Sequence, residues 1–151
     1  MTLAQNIKQQ IVVILQTLQT NGVINSFISL DRGKDPLSKD NAPPSGYPFA
    51  IVGMPRVANA MEDTANNKRT YRFDILFVVN YENMADMDYT VEGMIDAVLN
   101  EFDTNFTLNG TAIAAQVPPA QVNAFPISTP TGDFACFVVT IEAGTLYQLG
   151  T

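Results

Sequence analysis

One segment of the chain alternates between polar and apolar residues for long enough to predict a strand at the centre of a sheet. Between Lys68 and Tyr81, one face of such a strand is apolar at every second position. The apolar face consists of Tyr71, Phe73, Ile75, Phe77 and Val79. The opposite face begins polar and turns apolar at Leu76 and Val78. The pattern therefore predicts a strand whose far half is covered on both faces.

Two further segments have the apolar spacing of amphipathic helices. The first is residues 3–20, which follow a capping box at Thr2 and end at the pair Asn21-Gly22. The second is residues 84–103, which carry a continuous apolar stripe at helical intervals. Because each helix has one apolar face, both are predicted to pack against the sheet.

Shorter segments complete the predicted fold. The remaining strands are predicted at Val23–Leu30, at Tyr47–Met54, in a hairpin that joins Phe106–Leu108 to Thr111–Val117 through Asn109-Gly110, and in the pair Gln121–Ile127 and Phe134–Glu142. Residues 31–46 and 55–67 lack periodicity and are predicted to be exposed loops. The order predicts a single α+β domain over residues 1–151, with a mixed, mostly antiparallel sheet and both helices on one face.

Charge is distributed very unevenly along the chain. Residues 1–72 hold all eight lysines and arginines and five acidic residues, a formal balance of +3. Residues 73–151 hold ten acidic residues and no basic ones, a balance of −10. Within the second helix Asp88, Glu92 and Asp96 follow one another at four-residue intervals. Like charges at that spacing cost a few tenths of a kcal/mol per pair. Such a stripe suits a chain that meets a basic partner or repels a polyanion.

Two groups of residues are candidates for contact between subunits. Opposite its apolar stripe, the second helix carries Tyr89, Gly93 and Ala97, a face that accepts a neighbouring subunit at close range. A basic group crowds the entrance of the long strand. It consists of Lys68, Arg69 and Arg72. We expect this group to meet the acidic helix of the same or an adjacent chain, and ordinary solvated surface is the alternative.

The sequence lacks the histidine and cysteine pairs on which many enzymes depend. It contains no histidine and a single cysteine, Cys136, so a Cys–His pair and an internal disulfide are both excluded. A carboxylate-only metal centre on the second helix is disfavoured, because a helix spaces such residues by about 6 Å per step. We therefore predict no catalytic residue, cofactor or metal site. The net charge of −7 argues against general nucleic-acid binding, and no apolar stretch reaches the roughly 18 residues of a membrane span.

The order and character of the segments point to a known family. The segments are the N-terminal amphipathic helix, YPFAIVGM, KRTYRFDILFVVNY, the acidic helix VEGMIDAVLNEF, the NG hairpin and FACFVVTIEAG. Together they resemble the tail terminator (tail-completion) proteins of long-tailed bacteriophages. The resemblance implies a structural virion protein of the tail or neck, assembled in the host cytoplasm. It also implies a hexameric ring that closes the head-proximal end of the tail tube and joins it to the head connector.

The implied partners are further copies of the chain, the tail tube protein and the head-side connector or stopper protein. Six copies would carry 6 × 7 = 42 net negative charges, so DNA would pass through the lumen without specific binding. Axial docking is predicted for the two loops, through Arg32, Lys34, Lys39, Arg56, Glu62 and Asp63. The alternatives are another neck or tail component, such as a connector stopper or tube-related subunit, or a small-molecule- or metal-binding α+β domain.

Overall fold

The computed structural model describes residues 3–29, 48–61, 66–80, 84–105, 114–116, 125–129 and 132–148. The helices are α1 (Leu3–Thr20) and α2 (Met84–Thr104). The strands are β1 (Ser26–Ser29), β2 (Phe49–Val52), β3 (Arg56–Met61), β4 (Asn66–Asn80), β5 (Ala114–Gln116), β6 (Phe125–Thr129) and β7 (Gly132–Gln148). The predicted loop 31–46, the capping box at Thr2 and the Asn109-Gly110 hairpin turn lie outside the described residues.

Helix α1 ends where the sequence predicts. Gly22 has a φ of 79°, a left-handed conformation that glycine adopts at little cost. The Val23 N–H donates to the Leu18 carbonyl at 2.9 Å, and the Gly22 N–H donates to the Gln19 carbonyl at 3.1 Å. These two bonds form a Schellman motif, which satisfies carbonyls that the end of the helix leaves without partners.

The sheet is built around a long antiparallel ladder between β4 and β7. This ladder runs without interruption from Asn66 opposite Gln148 to Asn80 opposite Phe134. On the outer side of β4 lie β2 and β3, and on the outer side of β7 lie β6 and β5. Strand β1 pairs with β2 in parallel, whereas the other described pairs are antiparallel.

The main core lies between one face of this sheet and the two helices. At its centre Phe77 and Phe137 stand opposite each other in the ladder, with ring centroids 4.9 Å apart and planes 9° apart. The predicted apolar face of β4 contributes all five of its side chains, and both helices contribute their apolar stripes. A second cluster lies on the other face and includes Val78 and Cys136. The predicted fold class and the double-sided burial of β4 are therefore confirmed.

The predicted loop over residues 55–67 is wrong in its described part. Residues 56–61 form β3, which pairs with residues 67–72 of β4, and β4 itself begins at Asn66. The side chains of residues 56–60 are exposed on both faces of the strand. Without a buried face there is no alternation of apolar residues, so the pattern that reveals other strands is absent here.

Strands β2 and β3 are separated by a bulge opposite β4. Strand β2 ends with Val52 opposite Ile75, and β3 begins with Arg56 opposite Arg72, so three residues stand against two. The Gly53 N–H donates to the Asp74 carbonyl at 2.9 Å. A Cβ at Gly53 would lie 3.0 Å from the same backbone oxygen, so the close approach of the two chains favours glycine here.

Candidate functional site

Strand β3 and the first half of β4 bring four basic residues to one end of the sheet. We call this set the basic end; it consists of Arg56, Lys68, Arg69 and Arg72. Because side chains alternate along a strand, Arg69 lies on the face that carries the helices, together with Tyr71. The other three project from the opposite face, where Arg56 is in register with Arg72. The Arg69 Nε donates to the Asn59 Oδ1 at 3.1 Å.

Two of these arginines are paired with carboxylates of their own chain. The Arg56 Nη2 donates to both carboxylate oxygens of Asp74 at 3.1 Å, and the Thr140 hydroxyl donates to the Asp74 Oδ1 at 2.6 Å. The Arg72 Nη2 lies 3.1 Å from the Glu142 Oε2, directly across the ladder. Both pairs are partly exposed, so each is worth at most about 1 kcal/mol. The first pair ties β3 to β4 and the second ties β4 to β7, and each neutralises one arginine of the basic end.

The sequence did not identify these carboxylates as partners. Asp74 and Glu142 stand among apolar strand residues, and an acidic residue within a buried strand is a signal that a cation or hydroxyl lies beside it. That signal was present, but the identity of the partner depends on strand order. Thr140 is 66 residues from Asp74 along the chain, and only the ladder brings them together.

Helix α2 presents its acidic residues to solvent. Glu92 and Asp96 are exposed, as is Gly93, where an added Cβ would meet open space, while Ala97 is half-buried. The side chains of Asp88 and Tyr89 lie outside the described part, although their backbone belongs to α2. Among the described side chains, the ion pairs are those of Arg56 and Arg72, and neither involves α2. Neither of these described pairs joins the basic group to α2, so its contact with the acidic helix of the same or an adjacent chain stays a prediction.

The acidic helix and the basic end lie toward opposite edges of the sheet. Helix α2 contacts β5, which pairs with β7 on the side away from β4. The residues of the basic end lie on β3 and on the part of β4 that pairs with it, and β3 lies on the side of β4 away from β7. One chain therefore carries unlike charge toward its two edges. This arrangement can join copies head to tail.

Of the residues predicted for axial docking, Arg56 is described; its predicted place in a loop is wrong, and its docking role stays a prediction. Arg56 opens strand β3 and bonds to Asp74, so it does not belong to a loop. The remaining residues of that prediction lie outside the described residues; they are Arg32, Lys34, Lys39, Glu62 and Asp63.

Cys136 is fully buried on the face opposite the helices, and burial raises the pKa of its thiol from 9.0 to about 11. The group is therefore protonated near neutral pH and a poor nucleophile. Within the described residues, histidine, cysteine, aspartate and glutamate side chains do not gather in threes as a metal site. None of the described helices combines the length and apolar character that crossing a membrane requires.

Comparison with known proteins leaves the chain without an assigned family. No protein-family model matches it, and no curated protein matches it. A chain in a solved structure titled "Virion of native gene transfer agent (GTA) particle" is similar over 93% of this chain and 92% of its own length. The identity is 14% and the TM-score is 0.44, values too low to assign a function.

Proposed function

We propose that the protein is a non-enzymatic virion component that forms a ring, caps the head-proximal end of a phage tail tube and joins it to the head connector. The observation that supports this proposal is the separation of unlike charge, with the basic end at the β3 edge and acidic α2 toward the β5 edge. Such a subunit presents two different, complementary surfaces. Contacts of this heterologous kind close into rings when the rotation between copies divides a full turn.

In this proposal the basic end of one copy attracts the acidic helix of the next. The sequence offers Lys68, Arg69 and Arg72 as candidates on one side, and Asp88, Glu92 and Asp96 on the other. One ring face would match the end of the tube and the other would offer no tube-like surface, which stops growth. An acidic ring would let DNA slide through without adhering.

Native mass spectrometry and electron microscopy test the proposal together. We expect a closed ring of uniform copy number that binds one end of purified tail tubes and stops their extension. A tube-related subunit would instead polymerise, and a connector stopper would bind connectors without arresting tube growth. A protein that stays monomeric at every concentration and does not bind tubes would rule the proposal out.

A pair of charge variants on α2 isolates the electrostatic contribution. Neutralising the stripe with Glu92→Gln and Asp96→Asn should raise the concentration needed for ring formation. The matched control is Glu101→Gln with Asp103→Asn, which removes the same charge from the last turns of the same helix. Equal effects of the two double variants would show that net charge alone matters and that Glu92 and Asp96 have no specific role in ring formation.

A further inference from the structure

Within the part of the chain that the structure describes, β3 is an edge strand with few of the features by which monomeric proteins protect such edges. Its six residues, RVANAM, include one charged side chain and no proline, and within the described residues no strand lies on its outer side. Exposed edges are normally blunted by charge, proline, shortness or a covering segment, because their free backbone groups recruit other strands. Strand β6, in contrast, carries Pro126.

Strand β5 occupies the opposite edge of the same part of the sheet. One row of the ladder runs from Ala58 through Thr70 and Gly144 to Ala114, so β3, β4, β7 and β5 lie side by side here. Each neighbouring pair is antiparallel. Because strand direction alternates across these four strands, β3 and β5 of one copy run in opposite directions. The β5 edge of one copy therefore also runs opposite to the β3 edge of a copy rotated about an axis along the strands. They can therefore continue the ladder as an antiparallel pair, the more common kind.

Charge and exposed apolar area favour the same arrangement. Helix α2 contacts β5, so a copy joined through β5 brings its α2 toward the helix-bearing face of the next copy's β3. On that face lie Arg69 and Val57, and Val57 is 52% exposed because its own helices do not cover it. Exposed Glu92 matches the arginine in charge, and exposed Gly93 permits close approach to the valine.

We propose that successive copies join by antiparallel pairing of the β5 edge of one copy with the β3 edge of the next. In this joint, α2 of the first copy covers Val57 and lies against Arg69 of the second. The inference rests on the ring of the proposed function and specifies its contact. Of the basic residues, Arg69 shares the helix face and is the direct partner, whereas Lys68 and Arg72 lie on the other face.

Disulfide trapping tests the joint. Cysteine is introduced at Val57→Cys or Ala58→Cys in β3 and at Ala114→Cys or Ala115→Cys in β5, in all four combinations. Within one chain these strands are three spacings apart, about 14 Å at about 4.8 Å per strand, and a disulfide needs Cα atoms within about 7 Å. Any disulfide between the two strands is therefore intermolecular. The native Cys136 is buried and protonated, so it adds little background.

Under mild oxidation we expect at least one double variant to give a covalent ladder that ends at the ring's copy number, while every single variant remains uncrosslinked. Dimers from a β3 single variant would show that two β3 edges meet, which overturns the proposal. So would a ring seen by native mass spectrometry in which none of the four combinations crosslinks. Absence of any ring in the unmodified protein would instead overturn the proposed function, and this contact with it.

A charge swap gives an independent readout. Arg69→Glu should weaken ring association about tenfold, the factor that corresponds to about 1.4 kcal/mol, and adding Glu92→Arg should restore it. The matched control is Lys68→Glu, which makes the same charge change at the neighbouring position on the opposite face. If Lys68→Glu weakens association as much as Arg69→Glu does, or if the swap fails to restore it, then α2 does not lie against Arg69.

Discussion

Arg72 provides a test that separates its role in the sheet from any role between subunits. It lies directly across the ladder from Glu142, with an ion pair of 3.1 Å whose side chains are 51% and 23% exposed. Arg72→Glu removes that pair, worth about 0.2–1 kcal/mol at such exposure. It also places two carboxylates opposite each other, which costs a similar amount.

The single variant should therefore lose about 0.4–2 kcal/mol of folding free energy. For a domain of this size, thermal unfolding falls by about 2–4 °C per kcal/mol, so the midpoint should drop by about 1–8 °C. Calorimetry at low and high protein concentration separates loss of fold from loss of association, because only association makes the midpoint depend on concentration.

The swapped variant Arg72→Glu with Glu142→Arg re-forms the pair with the same net charge. We expect it to recover both the unfolding temperature and ring assembly, since Arg72 lies on the face away from α2. Recovery of stability without recovery of assembly would refute this reasoning. Arg72 would then contact the neighbouring copy directly, and the proposed joint would need a different face.

Three further predictions test the described core and the basic end. Phe137→Ala should lower the free energy of unfolding, measured in urea, by about 3–5 kcal/mol. Val138→Ala lies on the opposite face of the same strand, where Val138 is 38% exposed, and should lower it by under about 1 kcal/mol. Equal losses would mean that the faces of β7 are reversed. Asp74→Asn should speed hydrogen exchange in β3 selectively, because it weakens the contact of the Arg56 Nη2 with both carboxylate oxygens of Asp74. Unchanged exchange would show that the ladder alone holds β3. Cys136 should resist thiol reagents at pH 8 and react once urea unfolds the chain, and rapid reaction in the folded state would contradict its raised pKa.

The parts of the fold that the sequence predicts are those with a buried face. Both helices and the faces of β4 follow from the spacing of apolar residues, because burial against one layer imposes a period on the chain. Strand β3 has no buried side chain among residues 56–60, so it left no period to detect.

The length of β7 shows a second limit on what the sequence alone predicts. The sequence predicts Phe134–Glu142, but the strand continues to Gln148 through Ala143 and Gly144, residues that rarely promote strands. The cause is tertiary, because all fifteen residues of β4 pair with β7 and carry it past its own apolar segment. The partners of Asp74 and Arg72 were missed for the same reason. They depend on which strands are neighbours, and that is set by the assembled sheet.

The separation of charge within each copy affects which contact forms between copies, as well as how strongly that contact forms. Each copy carries −7 overall, so copies repel at long range, and physiological salt screens that repulsion beyond about 8 Å. At contact, three pairings of the two edges are possible. Pairing β3 with β3 joins two basic ends, and pairing β5 with β5 joins two acidic helices, so both bring like charges together. Only β3 against β5 joins unlike charges. Electrostatics therefore disfavours the isologous dimers and leaves the heterologous joint that a closed ring requires.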